Sequence, residues 1–238
     1  MLEVNADYLV MFHDDDVMKP RFLVTLFTLI SQNSIVAAVG CNASYLRNSV
    51  NTNETFLKPG LESIVIDSKE KLLDRYFLIG SQGISPFPGY MYRVMKTVDL
   101  GPDEDKGGIH ADVSFLFDIL ARGPIVWTPE ILMSYRLHES NLDKQSKVSI
   151  KLKLLRYLNS HIPKKRCQAL RDFHYTIMLE WFRRQNLNIL RYSQWSHRQQ
   201  VVFKYIFGEI LRHLFLRPEC RSLHLRVLYE KASRVVAL

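Results

Sequence analysis

A chain of 238 residues that is 47% hydrophobic can bury a sizeable core, and its length suggests one or two domains. Its three cysteines, Cys41, Cys167 and Cys220, are odd in number and far apart, which excludes a disulfide framework or a zinc-type ligand set and fits a reducing, cytoplasmic setting. The net charge of +8 divides unevenly: residues 1–143 hold 12 Lys+Arg against 19 Asp+Glu, a net of −7, and residues 144–238 hold 20 against 5, a net of +15. That break predicts a boundary near residues 140–150, between an acidic region, 1–145, and a basic one, 146–238.

The N-terminus carries Glu3 and Asp7 rather than a basic stretch followed by an apolar run, so it does not read as a signal peptide. "DYLVMF" (7–12) reads as a strand of the buried type and runs straight into His13 and three aspartates, Asp14, Asp15 and Asp16. Residues 20–29 read as a helix with Pro20 near its first turn. The apolar stretch 22–40 is interrupted by Ser31, Gln32, Asn33 and Ser34, so it predicts helix, turn and strand rather than a membrane span. "IVAAVGCNASYL" (35–46) is a strand by composition. "SKEKLLDRYFLI" (68–79) opens with a partial capping box, with Ser68 at the cap and Lys71 where Glu would be ideal. "VSFLFDILARG" (113–123) predicts an amphipathic helix closed by Gly123, and residues 124–137 read as strand, turn at Pro129, strand. This alternation predicts an α/β architecture with a mostly parallel, Rossmann-like sheet. Residues 145–235 show helical spacing instead, as in "ALRDFHYTIMLEWFRRQ", and predict three to five helices with no internal repeat.

The three aspartates are the most informative feature. In open α/β sheets, ligands bind beyond the carboxyl ends of the strands. Three carboxylates there cannot stay close and ionised without a counter-charge. A divalent metal with oxygen ligands, Mg²⁺ or Mn²⁺, bound partly by a substrate diphosphate, is one solution. A solvated turn with Asp16 capping the following helix is the other.

"ADYLVMFHDDDVMKPRFL" (6–23) resembles the segment around the DXD motif of family 2 glycosyltransferases, which have the GT-A fold. "FPGYMYR" (87–93) resembles that family's Gly-containing segment near the acceptor. "GGIHADVSFLFDILARGPIVWTPEILMSYRLHESN" (107–141) is similar to its second signature, an acidic pair opening a helix followed by a strand ending in YRxHxxN. The likeness covers residues 5 to about 145, with three motifs in the family's order and spacing. It implies a partial GT-A domain followed by an all-α C-terminal region.

The resemblance also implies roles. Asp14 and Asp15 would lie by the ribose and diphosphate of a nucleotide-diphosphate sugar donor, and Asp16, with Asp14, would ligate Mn²⁺ or Mg²⁺. Asp112 would be the general base that deprotonates an acceptor hydroxyl for inverting transfer. Arg136 would pair with a phosphate, and His138 would help bind the diphosphate or the metal. The acceptor would be a glycan or a lipid-linked or cell-envelope molecule. Two positions depart from the family: Ala111 replaces the acidic partner of the base, and Asp118 stands where Arg is usual. Taken without the resemblance, Asp112 also reads as an acid favoured by the helix dipole, His138 as a surface histidine, and Tyr90 and Tyr92 as core or rim aromatics.

Members of that family place a nucleotide-binding βα portion ahead of the DDD strand, and here only residues 1–7 precede it. The resemblance therefore implies an acceptor-side half: a fragment, a miscalled start, a split gene whose partner supplies the other half, or a degenerate and inactive copy. In a complete chain of this kind nucleotide binding is expected to be weak, and the open sheet edge favours a homo-oligomer. The basic tail reads as a helical bundle packed on the acidic region, as a peripheral contact with the inner face of an anionic membrane, or, least favoured, as a nucleic-acid binder, for which no motif is present. The competing function class is a non-catalytic module that keeps the scaffold and binds a partner through its basic helices.

Overall fold

Two long strands, Ala38–Arg47 and Ile125–Leu137, lie side by side and parallel in a seven-stranded sheet. The computed structural model describes residues 5–58, 60–97, 99–137, 148–184 and 195–216. In chain order its elements are β1 (Tyr8–Val10), β2 (Val17–Met18), α1 (Phe22–Ser31), β3 (Ala38–Arg47), β4 (Val50–Thr55), β5 (Ile64–Ile66), α2 (Lys69–Phe77), β6 (Tyr90–Arg93), α3 (Val94–Thr97), α4 (Glu104–Gly107), α5 (Ala111–Ile119), β7 (Ile125–Leu137), α6 (Val148–His161), α7 (Gln168–Arg184) and α8 (His197–Leu216). The strand order is β1-β6-β3-β7-β2, with β4 added to β3 and β5 to β7.

The architecture is α/β, but the sheet is mixed rather than mostly parallel. Among the described residues only β3–β7 pairs parallel, and the other five pairings are antiparallel. Local chemistry explains part of this. Asn48 and Ser49 take positive φ, 48° and 64°, and fold β4 straight back on β3 as a hairpin. The second edge of β7 is shared by two short strands, β5 against Ile125–Trp127 and β2 against Met133 and Ser134.

Two strand expectations change. The run 7–12 is not a buried strand: only Tyr8–Val10 pairs, half-buried, because β6 offers no partner beyond Tyr90–Arg93. Pro129 does not end a strand either. It sits in a bulged stretch of β7 where Trp127 pairs with Gly40 and Ile131 with Asn42, so no ladder hydrogen bond is demanded of it. The buried Asn42 side chain holds this irregularity, donating to the Pro129 and Leu57 carbonyls at 3.3 and 3.2 Å and accepting from the Leu57 N–H at 2.8 Å. The expected helix cap is present. Ser68 caps α2 by accepting from the Lys71 N–H at 3.3 Å. Gly123 does not close α5, which ends at Ile119 with Leu120 as its C-cap; it is required three residues later, where a Cβ would come within 2.3 Å of the Ile35 carbonyl.

Both faces of the sheet are covered. Phe22, Leu26 and Ile30 of α1 pack on Val39, Cys41, Met91 and Met133. The other face packs Ala38, Tyr92 and Trp127 against Phe115 and Leu116 of α5, and the same core continues into Leu154 and Leu158 of α6 and Leu170 and Phe173 of α7. At roughly 1.5–3 kcal/mol for each fully buried large apolar side chain, this shared core holds the basic helices firmly to the acidic region. The expected boundary at 145/146 falls among residues outside the described ones. No helix among the described residues is long and apolar enough to cross a membrane.

Candidate functional site

After Val10 the chain leaves the sheet, and Asp14–Asp15–Asp16 form a turn that leads into β2. Because β2 pairs with the far end of β7, the turn lies beside Ser134–Tyr135–Arg136. Asp16 is the buried member, its side chain 1% exposed. Its Oδ1 accepts the Arg136 backbone N–H at 2.8 Å, while its Oδ2 is buried and accepts no hydrogen bond. Arg136 closes the same loop from its side chain, its Nε donating to the Asp15 carbonyl at 2.7 Å.

His13 supplies the nearest positive charge. Its Nδ1 stands 3.4 Å from Asp16 Oδ2, an ion-pair distance rather than a hydrogen bond. The Asp16 carboxylate holds His13 above the ordinary histidine value against the effect of partial burial, and the charges of Asp15 and Asp14 add to it. Ligand atoms of His13, Asp15 and Asp16 all lie within 4.8 Å of one another. The third member of this group is thus His13 and not Asp14, which is exposed. A buried carboxylate oxygen with no donor, next to an imidazole and a second carboxylate, fits a divalent cation, and an N/O donor set suits Mn²⁺ better than Mg²⁺.

Asp112 lies in the first turn of α5, half-buried. Tyr135 links it to the turn: burial raises this phenol, and the charges of Asp16, Asp15 and Asp112 raise it further. Three of the four sequence-predicted acids, Asp15, Asp16 and Asp112, are thus within electrostatic reach of Tyr135. Tyr135 also belongs to an aromatic group, with its ring 5.1 Å from Phe56 and 6.4 Å from Tyr45. His138 lies outside the described residues. No protein-family model matches this chain, and none of the curated proteins does.

The departure at Asp118 has a structural reason. Its Oδ2 takes a hydrogen bond from Lys106 Nζ at 2.6 Å and its Oδ1 one from the Tyr157 hydroxyl, so it ties α4 and α6 to α5. Tyr90 and Tyr92 are fully buried core residues, as their apolar neighbours suggested. Sequence reasoning passed over two site residues. His13 carries a usable signal, its i,i+3 spacing to Asp16. Tyr135 carries none, since an aromatic near a strand end reads as core.

Proposed function

We propose that this chain carries the acceptor side of a metal-dependent, inverting glycosyl-transfer site on a partial GT-A-like scaffold. The observation that supports the reading is the buried, unpartnered Oδ2 of Asp16 beside His13 and Asp15, at the sheet end that Asp112 also faces. His13, Asp15 and Asp16 would hold the metal. When bound, such an ion would supply charge neutralisation for a departing diphosphate. Asp112 takes the proton of an acceptor hydroxyl as its oxygen bonds to the anomeric carbon and the bond from that carbon to the diphosphate oxygen breaks. Arg136, already fixed on the Asp15 carbonyl, keeps the turn in shape while the phosphates bind.

Isothermal titration with Mn²⁺ and a nucleoside diphosphate tests this. Binding of the nucleotide should require Mn²⁺ and should disappear in Asp16→Asn, while Asp112→Asn should keep binding and lose transfer. Because an acceptor side alone is expected to bind nucleotide weakly, it is the absence of any uptake of Mn²⁺, and of nucleoside diphosphate at high concentration with Mn²⁺, that would sink the proposal. Unchanged cellular function in both variants would favour the non-catalytic module instead.

A further inference from the structure

On the face of the sheet that carries α2 and α5, a second set of polar groups is buried without partners. The phenolic oxygens of Tyr76, Tyr90 and Tyr92, Nε1 of Trp127, and Nε and Nη2 of Arg75 are shut off from solvent and make no well-aligned hydrogen bond among the described residues. They come from three elements: Arg75 and Tyr76 from α2, Tyr90 and Tyr92 from β6, and Trp127 from β7. They are neighbours. The Tyr90 and Tyr92 rings stack at 5.7 Å, and the Arg75 guanidinium lies 5.6 Å from the centre of the Trp127 ring. Tyr76, Ser85 and Trp127 stand within hydrogen-bonding reach of the Tyr90 hydroxyl, poorly aligned, which leaves the Tyr92 hydroxyl and the two Arg75 nitrogens as the members with no such neighbour. Phe115, three residues on from Asp112 in α5, has its ring 5.3 Å from that of Tyr92, which puts Asp112 one turn away along the same helix, and its charge raises all three phenols.

The backbone has been cleared for this arrangement. A Cβ on Gly40 would come within 2.8 Å of the Tyr90 ring and 2.5 Å of Ser85 Oγ, so glycine lets Tyr90 lie flat against β3. Interiors rarely leave one such atom unpaired, and the Tyr92 hydroxyl with two Arg75 nitrogens, ringed by three poorly matched groups, ask for an occupant. The indole and guanidinium nitrogens can only donate, and each phenol can do so, so that occupant must be rich in acceptors. Nε and Nη2 form one edge of the guanidinium, the edge that grips two oxygens of a carboxylate or phosphate side by side. No ion pair to Arg75 occurs among the described residues, and burial moves its pKa down. Water could pair the hydroxyls but would leave that charge unbalanced.

We propose that Arg75, Tyr76, Tyr90, Tyr92 and Trp127 bind an anionic group, a carboxylate or a phosphate, on the molecule whose hydroxyl is presented to Asp112. The acceptor role rests on the glycosyl-transfer reading, whereas the anion site does not. An acidic sugar residue or a phosphate-bearing acceptor would place its charge at Arg75 and a hydroxyl at Asp112.

The test is a titration of the full chain, free of divalent metal, with sodium glucuronate, inorganic phosphate and glucose, following the Trp127 indole resonance, assigned through Trp127→Phe. Glucuronate or phosphate should shift that resonance saturably and glucose should not. Tighter glucuronate marks the source as an acidic sugar, and tighter phosphate marks it as a phosphorylated acceptor. Arg75→Gln should weaken the anion by at least about tenfold, and Arg75→Lys, which keeps the charge but loses the fork, by less. Three results would overturn the proposal: glucose shifting the resonance as strongly as the anions, no saturable shift with either anion, or full affinity in a folded Arg75→Gln. If that variant does not fold, the comparison of anions with glucose in the unaltered chain decides. Anion binding here without Mn²⁺-dependent nucleotide binding at Asp16 would remove only the acceptor assignment.

Discussion

Asp172, in the basic helices, and Asp16, in the acidic turn, are both carboxylates withdrawn from water. Asp172 is fully provided for: its Oδ2 accepts the Ile79 N–H at 2.9 Å and its Oδ1 the Gln168 Nε2 at 2.6 Å. It ties the end of α2 to α7. Asp16 has one oxygen on a backbone N–H and the other without an aligned donor, its one neighbour of opposite charge among the described residues being the His13 imidazole at 3.4 Å. A buried carboxylate whose oxygens are all matched serves the fold, because removing it orphans its donors. One left half matched is kept at a cost to the fold, and such a cost points to a ligand.

The largest test of this contrast is Asp172→Ala, which should lower unfolding free energy by about 3 kcal/mol, since the Ile79 N–H and the Gln168 amide both lose their acceptor. Urea denaturation measures it, and a loss within experimental error would erase the distinction. Next comes Asp16→Asn. Without metal it should change stability by less than about 1 kcal/mol, because Asn keeps an oxygen for the Arg136 N–H and what is lost is the ion pair with the half-exposed His13 imidazole. With Mn²⁺ at a hundredfold excess over its dissociation constant, the unaltered chain should gain about 2.7 kcal/mol and the variant nothing, as thermal shift would record.

Asp118 sharpens the comparison from the other side. Both its oxygens are engaged, so Asp118→Ala should cost about 1–2 kcal/mol in the same denaturation assay and leave Mn²⁺ binding intact. The smallest effect is a pH slope in the basic helices. Burial, with the Lys164 ammonium donating to Nδ1 at 2.9 Å, pushes His174 down to about 4 from its ordinary 6.5. Its neutral form belongs to the folded state, so the contribution is complete above about pH 6.5 and is lost as pH falls towards 4, where the unfolded chain binds the extra proton. After solvent screening of a half-buried ring, roughly 1 kcal/mol should vanish over that window, and His174→Gln should flatten it.

Much of the acidic turn was legible beforehand, because three consecutive carboxylates after an apolar run can be read without coordinates. The unpartnered oxygen was not, since it depends on Arg136, which lies 120 residues away and meets Asp16 through its backbone. Helices were read well where caps and spacing are local, as at Ser68. Strand direction was misread because it is set by what pairs with what: β5 and β2 are too short to announce that they share one edge of β7. Arg75 escaped for a similar reason. In a helix with Lys69, Lys71 and Asp74 it reads as part of a solvated face, and only packing on Trp127 makes it interior. Asp172 likewise looks solvent-facing in "LRDFH" until the end of α2 lands on it, 93 residues distant.

The irregular stretch of β7 works like a change of reading frame. Six residue steps from Trp127 to Met133 run beside only three from Gly40 to Ala43, a surplus of three. An odd surplus exchanges the strand's two sides, so Trp127 belongs to the core beneath α5 while Met133 and Tyr135 belong to the side of α1. The alternation of backbone N–H groups is rephased with it, and that is what aims the Arg136 N–H outward at Asp16 rather than inward at β3. Loss of a single residue between Thr128 and Glu130 would leave composition and core nearly as they are, yet it would present the acidic turn with the wrong edge of every residue that follows.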